Sequence, residues 1–154
     1  MSETARISDQ LRRAFSGEAW HGDSLLEILD GVTAAQASAR PVPHAHTIWE
    51  LVLHIAAWDG AVRRRLGGEA VTLSDDQNFP PARDPSEFAW RNTMEHVRKV
   101  HDELVHAVSE FPDARLVEQV PGKQGVHYTY YYMLHGVVQH ELYHAGQIAL
   151  LKKK

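Results

Sequence analysis

The chain predicts an all-α protein, a four-helix bundle with long inter-helix links, and three observations carry that expectation. Apolar residues recur at spacings of three and four through most of the 154 residues. Capping patterns stand just ahead of those apolar runs, and no stretch shows a convincing strand-like alternation. Four long amphipathic segments without a sheet must bury their apolar stripes against one another, which is the physics of a bundle. A chain of this length buries roughly 70% of its unfolded surface, so one domain spanning residues 1–154 is expected.

Each element has its own reason. The first helix is expected over residues 3–30, burying Ile7, Leu11, Phe15, Leu25, Leu26 and Leu29, with Gly17 and Gly22 as weak points and Gly31 as the stop. Thr33 and Gln36 form a short capping box before Pro41 and Pro43 impose an extended link carrying His44 and His46. Thr47 and Glu50 form the box that opens the second helix, which runs through Leu51, Ile55, Trp58 and Val62 to Leu66 and closes at Gly67-Gly68. Residues 69–83 read as a long loop of the kind that borders sites. Asp84 as N-cap, Pro85 at the first helical position and Glu87 as box partner begin the third helix, which ends near Glu110 ahead of Pro112. Residues 113–127, with Pro121-Gly122 and Gly125, form an irregular connection to a last helix running from about Thr129 to the C-terminus.

Composition narrows the function. There is no cysteine, so disulfides, thiolate metal sites and a cysteine nucleophile are excluded, and any metal must bind nitrogen and oxygen. A net charge of −4 with dispersed basic residues offers no footprint for nucleic acid. The basic run Lys152-Lys153-Lys154 is best explained as complementing a helix C-terminus. No apolar run reaches signal-peptide or membrane-span length, so the expectation is a soluble cytoplasmic protein that acts on a small molecule, away from membranes.

The segment from Gln139 to Ile148 carries the chemistry. His140 and His144 sit one turn apart on the apolar stripe of Met133, Val137, Ile148 and Leu151, and their spacing lets both rings reach one ion. His54 stands between Leu51 and Trp58 on the inward stripe of the second helix. A buried imidazole without a partner costs a few kcal/mol, and three rings on two inward stripes can share one divalent cation. Nitrogen ligands suit zinc, and imidazole also accepts nickel or iron.

The run Leu53-His54-Ile55-Ala56-Ala57-Trp58-Asp59, together with His140, His144 and the following Ala145-Gly146-Gln147, resembles the DinB-like proteins, also called YfiT-like metal-dependent hydrolases. The likeness extends in layout over nearly the whole chain. It implies a four-helix bundle, a zinc or nickel site held by His54, His140 and His144, and frequent homodimerisation. Some relatives are S-transferases in which the metal activates a low-molecular-weight thiol cofactor, and others are regarded as hydrolases. Without a cysteine of its own, this chain would need an external thiol.

Rival readings rest on the same residues. His140-Glu141-Leu142-Tyr143-His144 satisfies the H-E-x-x-H pattern of zinc proteases, in which the glutamate is the general base. Gln147 and Leu150 occupy the positions where the extended pattern needs glycine and histidine, yet Glu141 remains a candidate catalytic residue that assists a water. Gln147 is a second candidate, as a hydrogen-bond partner of a ligand ring or water, and His21, beside Gly22, is a third, lining the pocket. Asp59 is weighed as a partner fixing a ligand tautomer against a solvated carboxylate or an ion-pair partner. The tyrosines at 128, 130, 131 and 132 wrap the start of the last helix. The histidines at 44, 46, 96, 101, 106, 127 and 135 share no stripe with the three, and most are expected at the surface. The preferred function is a metal-dependent hydrolase or thiol S-transferase. The alternatives are a non-catalytic metal- or ligand-binding bundle and an ordinary core in which the histidines are merely hydrogen-bonded.

Overall fold

The computed structural model describes residues 1–122 and 128–153. Its helices are α1 (Glu3–Ser16), α2 (Leu25–Leu29), α3 (Ala34–Ser38), α4 (Ile48–Leu66), α5 (Asp75–Asn78), α6 (Glu87–Ser109) and α7 (Tyr130–Lys152), with a 3-10 turn at Asp113–Arg115. No strand occurs among the described residues beyond an isolated bridge between Gln119 and Thr129. The part of the expected irregular connection at 123–127, and with it His127, lies outside the described residues, as does Lys154.

Local chemistry explains the boundaries. The Thr47–Glu50 capping box forms as expected and starts α4. Ser24–Glu27, Thr33–Gln36 and Ser74–Gln77 make three further boxes, the last of which puts a turn of helix inside the expected loop at 69–83. The expected first helix is interrupted. Gly17 sits at φ 138° and Glu18 at φ 62°, and the chain leaves the helix there before Ser24 starts α2. A glycine supplies a backbone angle that a side chain resists, so the weak point at Gly17 becomes the end of α1. At the third long helix Ser86, rather than Asp84, is the N-cap, accepting from the Ala89 amide. Asp84 accepts from the Ser86 amide at 2.9 Å, and Glu87 is drawn to the Ala34 amide of α3 at 2.8 Å.

The long helices form a square in which α1 and α4 each pack against both α6 and α7. Cross-helix contacts fix their directions. Trp49 donates to Thr93, Asp59 meets His101 and Arg63 faces Glu103, so α4 and α6 run parallel. Tyr130 donates to the Arg65 carbonyl, so the start of α7 meets the end of α4. The Glu3 and Thr4 amides donate to Asp113, just beyond α6, so α1 opposes α6. Lys152 Nζ donates to the carbonyls of Ile28 and Asp30, so this member of the basic run ties the end of α7 to α2.

Parallel neighbours joined in sequence need a link that returns the length of the bundle. α4 has 19 residues and is about 28 Å long at ~1.5 Å per residue, and residues 67–86 make that return, carrying α5 alongside α4. The apolar interior is divided in two. One cluster gathers Leu25, Trp49, Val52, Ile55, Trp90, Val97 and Ile148, and the other Leu11, Val62, Leu104, Val108, Tyr130 and Leu134. Between them along the helices lie Asp59, His101 and Glu141, all buried. No helix among the described residues is long and apolar enough to cross a membrane.

Thr47→Ala removes the acceptor for the Glu50 amide at the entrance to the central helix. It is expected to lower stability by about 1 kcal/mol, read as a reduced urea midpoint with an unchanged denaturant slope.

Candidate metal centre

The central stripe of α4 runs through Val52, Ile55, Asp59, Val62 and Leu66, and that of α7 through Leu134, Val137, Glu141, Ala145 and Ile148. His54, His140 and His144 lie beside these stripes, on the flanks that α4 and α7 turn toward each other and toward the returning link. The tertiary fold brings all three rings together. Their centroids are 4.9 Å (His54 to His140), 4.6 Å (His54 to His144) and 4.5 Å (His140 to His144) apart. One ligand nitrogen from each falls within 4.8 Å of the others, a group that could hold a metal ion.

Hydrogen bonds set the protons. Nδ1–H of His54 donates to the Asn78 carbonyl at 2.6 Å, and Nδ1–H of His144 donates to the Gln147 amide oxygen at 2.6 Å. Each ring is thereby left with an Nε2 lone pair. Nε2 of His54 lies 2.9 Å from Nε2 of His140. Two ring nitrogens brought this close suit a shared cation, and carbonyl oxygens behind ligating imidazoles are the usual outer support of such sites. His140 Nδ1 is buried without a hydrogen-bond partner among the described residues.

Electrostatics favour the neutral, ligating form. Burial lowers the pKa of His54 to about 4, with a further push from His144. Burial and the two neighbouring rings lower His140 to about 3, and burial also lowers His144. Deprotonated rings at neutral pH are what a divalent ion requires.

The link supplies partners that helical periodicity did not reveal. Phe79 stacks on His54 at 4.0 Å and on His46 at 3.8 Å, so its ring is held between them. Asn78 uses its carbonyl for His54 and its side-chain oxygen for Trp58 Nε1 at 2.8 Å. The cue was the Ser74–Gln77 box, which starts the turn ending at Asn78. Gln147 lies beside His144, one of the three converging rings, and accepts its Nδ1 hydrogen. His21 lies in the exposed turn after α1 instead of midway along a helix.

Asp59 and Glu141 belong elsewhere. Asp59 is wholly buried and accepts from His101 Nδ1 at 3.1 Å, so it is the ion-pair partner of the expectation's second alternative, neither solvated nor paired with one of the three rings. Glu141, the general base of the protease reading, is also wholly buried, with Oε1 3.2 Å from the same His101 nitrogen. His101 is a core residue, not a surface one, and the spacing Val97, His101, Leu104, Val108 carried that signal. Burial opposes its charged form, but Asp59 and Glu141 outweigh burial and raise its pKa. Burial raises the pKa of both carboxyls.

Two outcomes follow from the three rings. Gln147→Leu removes the acceptor for His144 and is expected to weaken metal retention about 10–100-fold, measured by competition with a chromogenic chelator. Between the ordinary histidine pKa of 6.5 and the lowered value near 4 for His54, the unfolded chain binds protons that the folded chain does not. Metal-free protein therefore loses stability as pH falls through that window. Urea midpoints at pH 7 and 4.5 should differ less in the His54→Ala/His140→Ala variant.

A model of the DinB superfamily matches residues 19–148, a span that takes in both histidine-bearing helices and the returning link. No curated protein and no solved structure matches the chain. With an all-helical bundle and a match over most of its length, the chain belongs to the DinB superfamily.

Proposed function

We propose that this protein is a metal-dependent enzyme in which His54, His140 and His144 hold a divalent ion, zinc or nickel, beside a cleft for a small electrophilic molecule. The observation that carries the reading is the convergence of three imidazoles, one of which, His140, also lines an apolar cavity. That cavity, of about 360 Å³, is lined by His140 together with Trp58, Val62, Tyr128, Tyr132 and Met133. When bound, the ion supplies Lewis acidity that makes a water or a thiol nucleophilic at neutral pH.

The protein's own groups do the rest. Asn78 and Gln147 fix the ring protons of His54 and His144, Phe79 and Trp58 pack around His54, and the cavity beside His140 is walled mainly by apolar side chains. An apolar wall suits an apolar electrophile and disfavours competition from bulk water. That supports thiol S-transfer over hydrolysis, with a low-molecular-weight thiol as the co-substrate, since the chain has no cysteine. The burial of Glu141 against His101 argues against the protease reading. The same reading takes a homodimer as the working assembly.

Zinc- or nickel-loaded protein, incubated with cysteine, glutathione or coenzyme A and an activated aryl halide, should consume thiol. His140→Ala should reduce the rate by about 100-fold or more. Equal rates in both proteins, or no turnover of any thiol or activated ester by ion-loaded protein, would leave a non-catalytic binding bundle. A Cβ added at Gly136 meets nothing within 4 Å, and this residue lines the cavity. Gly136→Leu should therefore fold at least as stably, gaining up to about 1 kcal/mol of helix propensity, while raising KM for the electrophile.

A further inference from the structure

The interior layer of Asp59, His101 and Glu141 is chemically incomplete. Both carboxylates are fully buried, and neither oxygen of Glu141 makes a hydrogen bond among the described residues. Asp59 Oδ1 and His101 Nε2 are also without partners there. The Nδ1 hydrogen of His101 goes to Asp59, and although Glu141 Oε1 is 3.2 Å from the same nitrogen, it is not aligned to accept. No lysine or arginine among the described residues comes within ion-pair distance of either carboxylate. Arg65, the buried guanidinium, is turned to the Val71 carbonyl and Tyr128.

With both carboxyls ionised, the layer would carry an excess of negative charge even when the ring is protonated, and uncompensated charge in a core is strongly destabilising. A divalent cation with a neutral ring would balance it. The spacing is suitable: His101 Nδ1 lies 3.1 Å from Asp59 Oδ2 and 3.2 Å from Glu141 Oε1. Adjacent ligands at about 2.1 Å around an octahedral ion are separated by about 3.0 Å. One ligand atom from each of the three residues lies within 4.8 Å of the others.

We propose that Asp59, His101 and Glu141 form a second divalent-cation site, separate from the three histidines and closed inside the bundle. Two carboxylate oxygens and one imidazole nitrogen form a harder donor set than three imidazoles, suited to manganese or iron(II) and also accepting zinc. With ligands from α4, α6 and α7, and with Phe15 of α1 stacked on His101 at 3.9 Å, the ion would tie the four long helices at mid-height. Because the layer is sealed, loading accompanies folding.

The test uses the full chain with His54, His140 and His144 all replaced by alanine, so that its outcome does not depend on the first site. This variant is refolded in Mn²⁺ and desalted, and bound manganese is measured by elemental analysis and by electron paramagnetic resonance. About one equivalent per folded chain is expected, falling several-fold when Asp59→Asn is added. A folded triple variant that retains no Mn²⁺, and no Zn²⁺ in a parallel refolding, would overturn the proposal and leave a shared proton as the compensating charge. Should the triple variant fail to fold, wild-type protein refolded in Zn²⁺ decides: Asp59→Asn and Glu141→Gln should each hold one equivalent less, and equal zinc in wild type and either folded variant overturns the site.

Discussion

A polar layer across the middle of the bundle constrains everything around it. Asp59, His101 and Glu141 occupy the most buried stripes of their helices, where leucine or valine would ordinarily stand, and they part the interior into two apolar clusters. Desolvating carboxylates is tolerable only if the surrounding helices hold the charges in register. The layer therefore favours one alignment of α4, α6 and α7, because sliding one helix by a turn would set a carboxylate against hydrocarbon. The three imidazoles inherit that alignment, since His140 precedes Glu141 directly and His54 lies little more than a turn before Asp59.

The second constraint is topological. The parallel course of α4 and α6 obliges residues 67–86 to travel back along the bundle, and that path delivers Asn78 and Phe79 to His54. A tight hairpin between antiparallel helices would leave that ring without its carbonyl acceptor. The link thus connects two helices and also completes the surroundings of His54.

One short motif serves two environments. In His140-Glu141-Leu142-Tyr143-His144, the histidines look toward α4 and the returning link, while the glutamate, about 100° round the helix, looks into the layer shared with α6. The pattern matches a protease signature, but the role of its glutamate depends on which neighbour each face meets. Here that neighbour is a buried histidine–aspartate pair.

Local sequence determined the helical class, the entrance of α4 at Thr47 and its exit at Gly67, and the residues at which imidazoles interrupt apolar stripes, because capping and periodicity act within a few turns of chain. It also held two further signals: Gly17, where α1 ends, and the Val97–His101–Leu104–Val108 spacing that buries His101. Tertiary structure alone decided that His54 would meet His140 and His144, that Asn78 and Phe79 would pack on His54, and that Asp59 would face His101 and Glu141. Those meetings join residues tens of positions apart, and they depend on helix direction and rotation, which periodicity within a single helix does not encode.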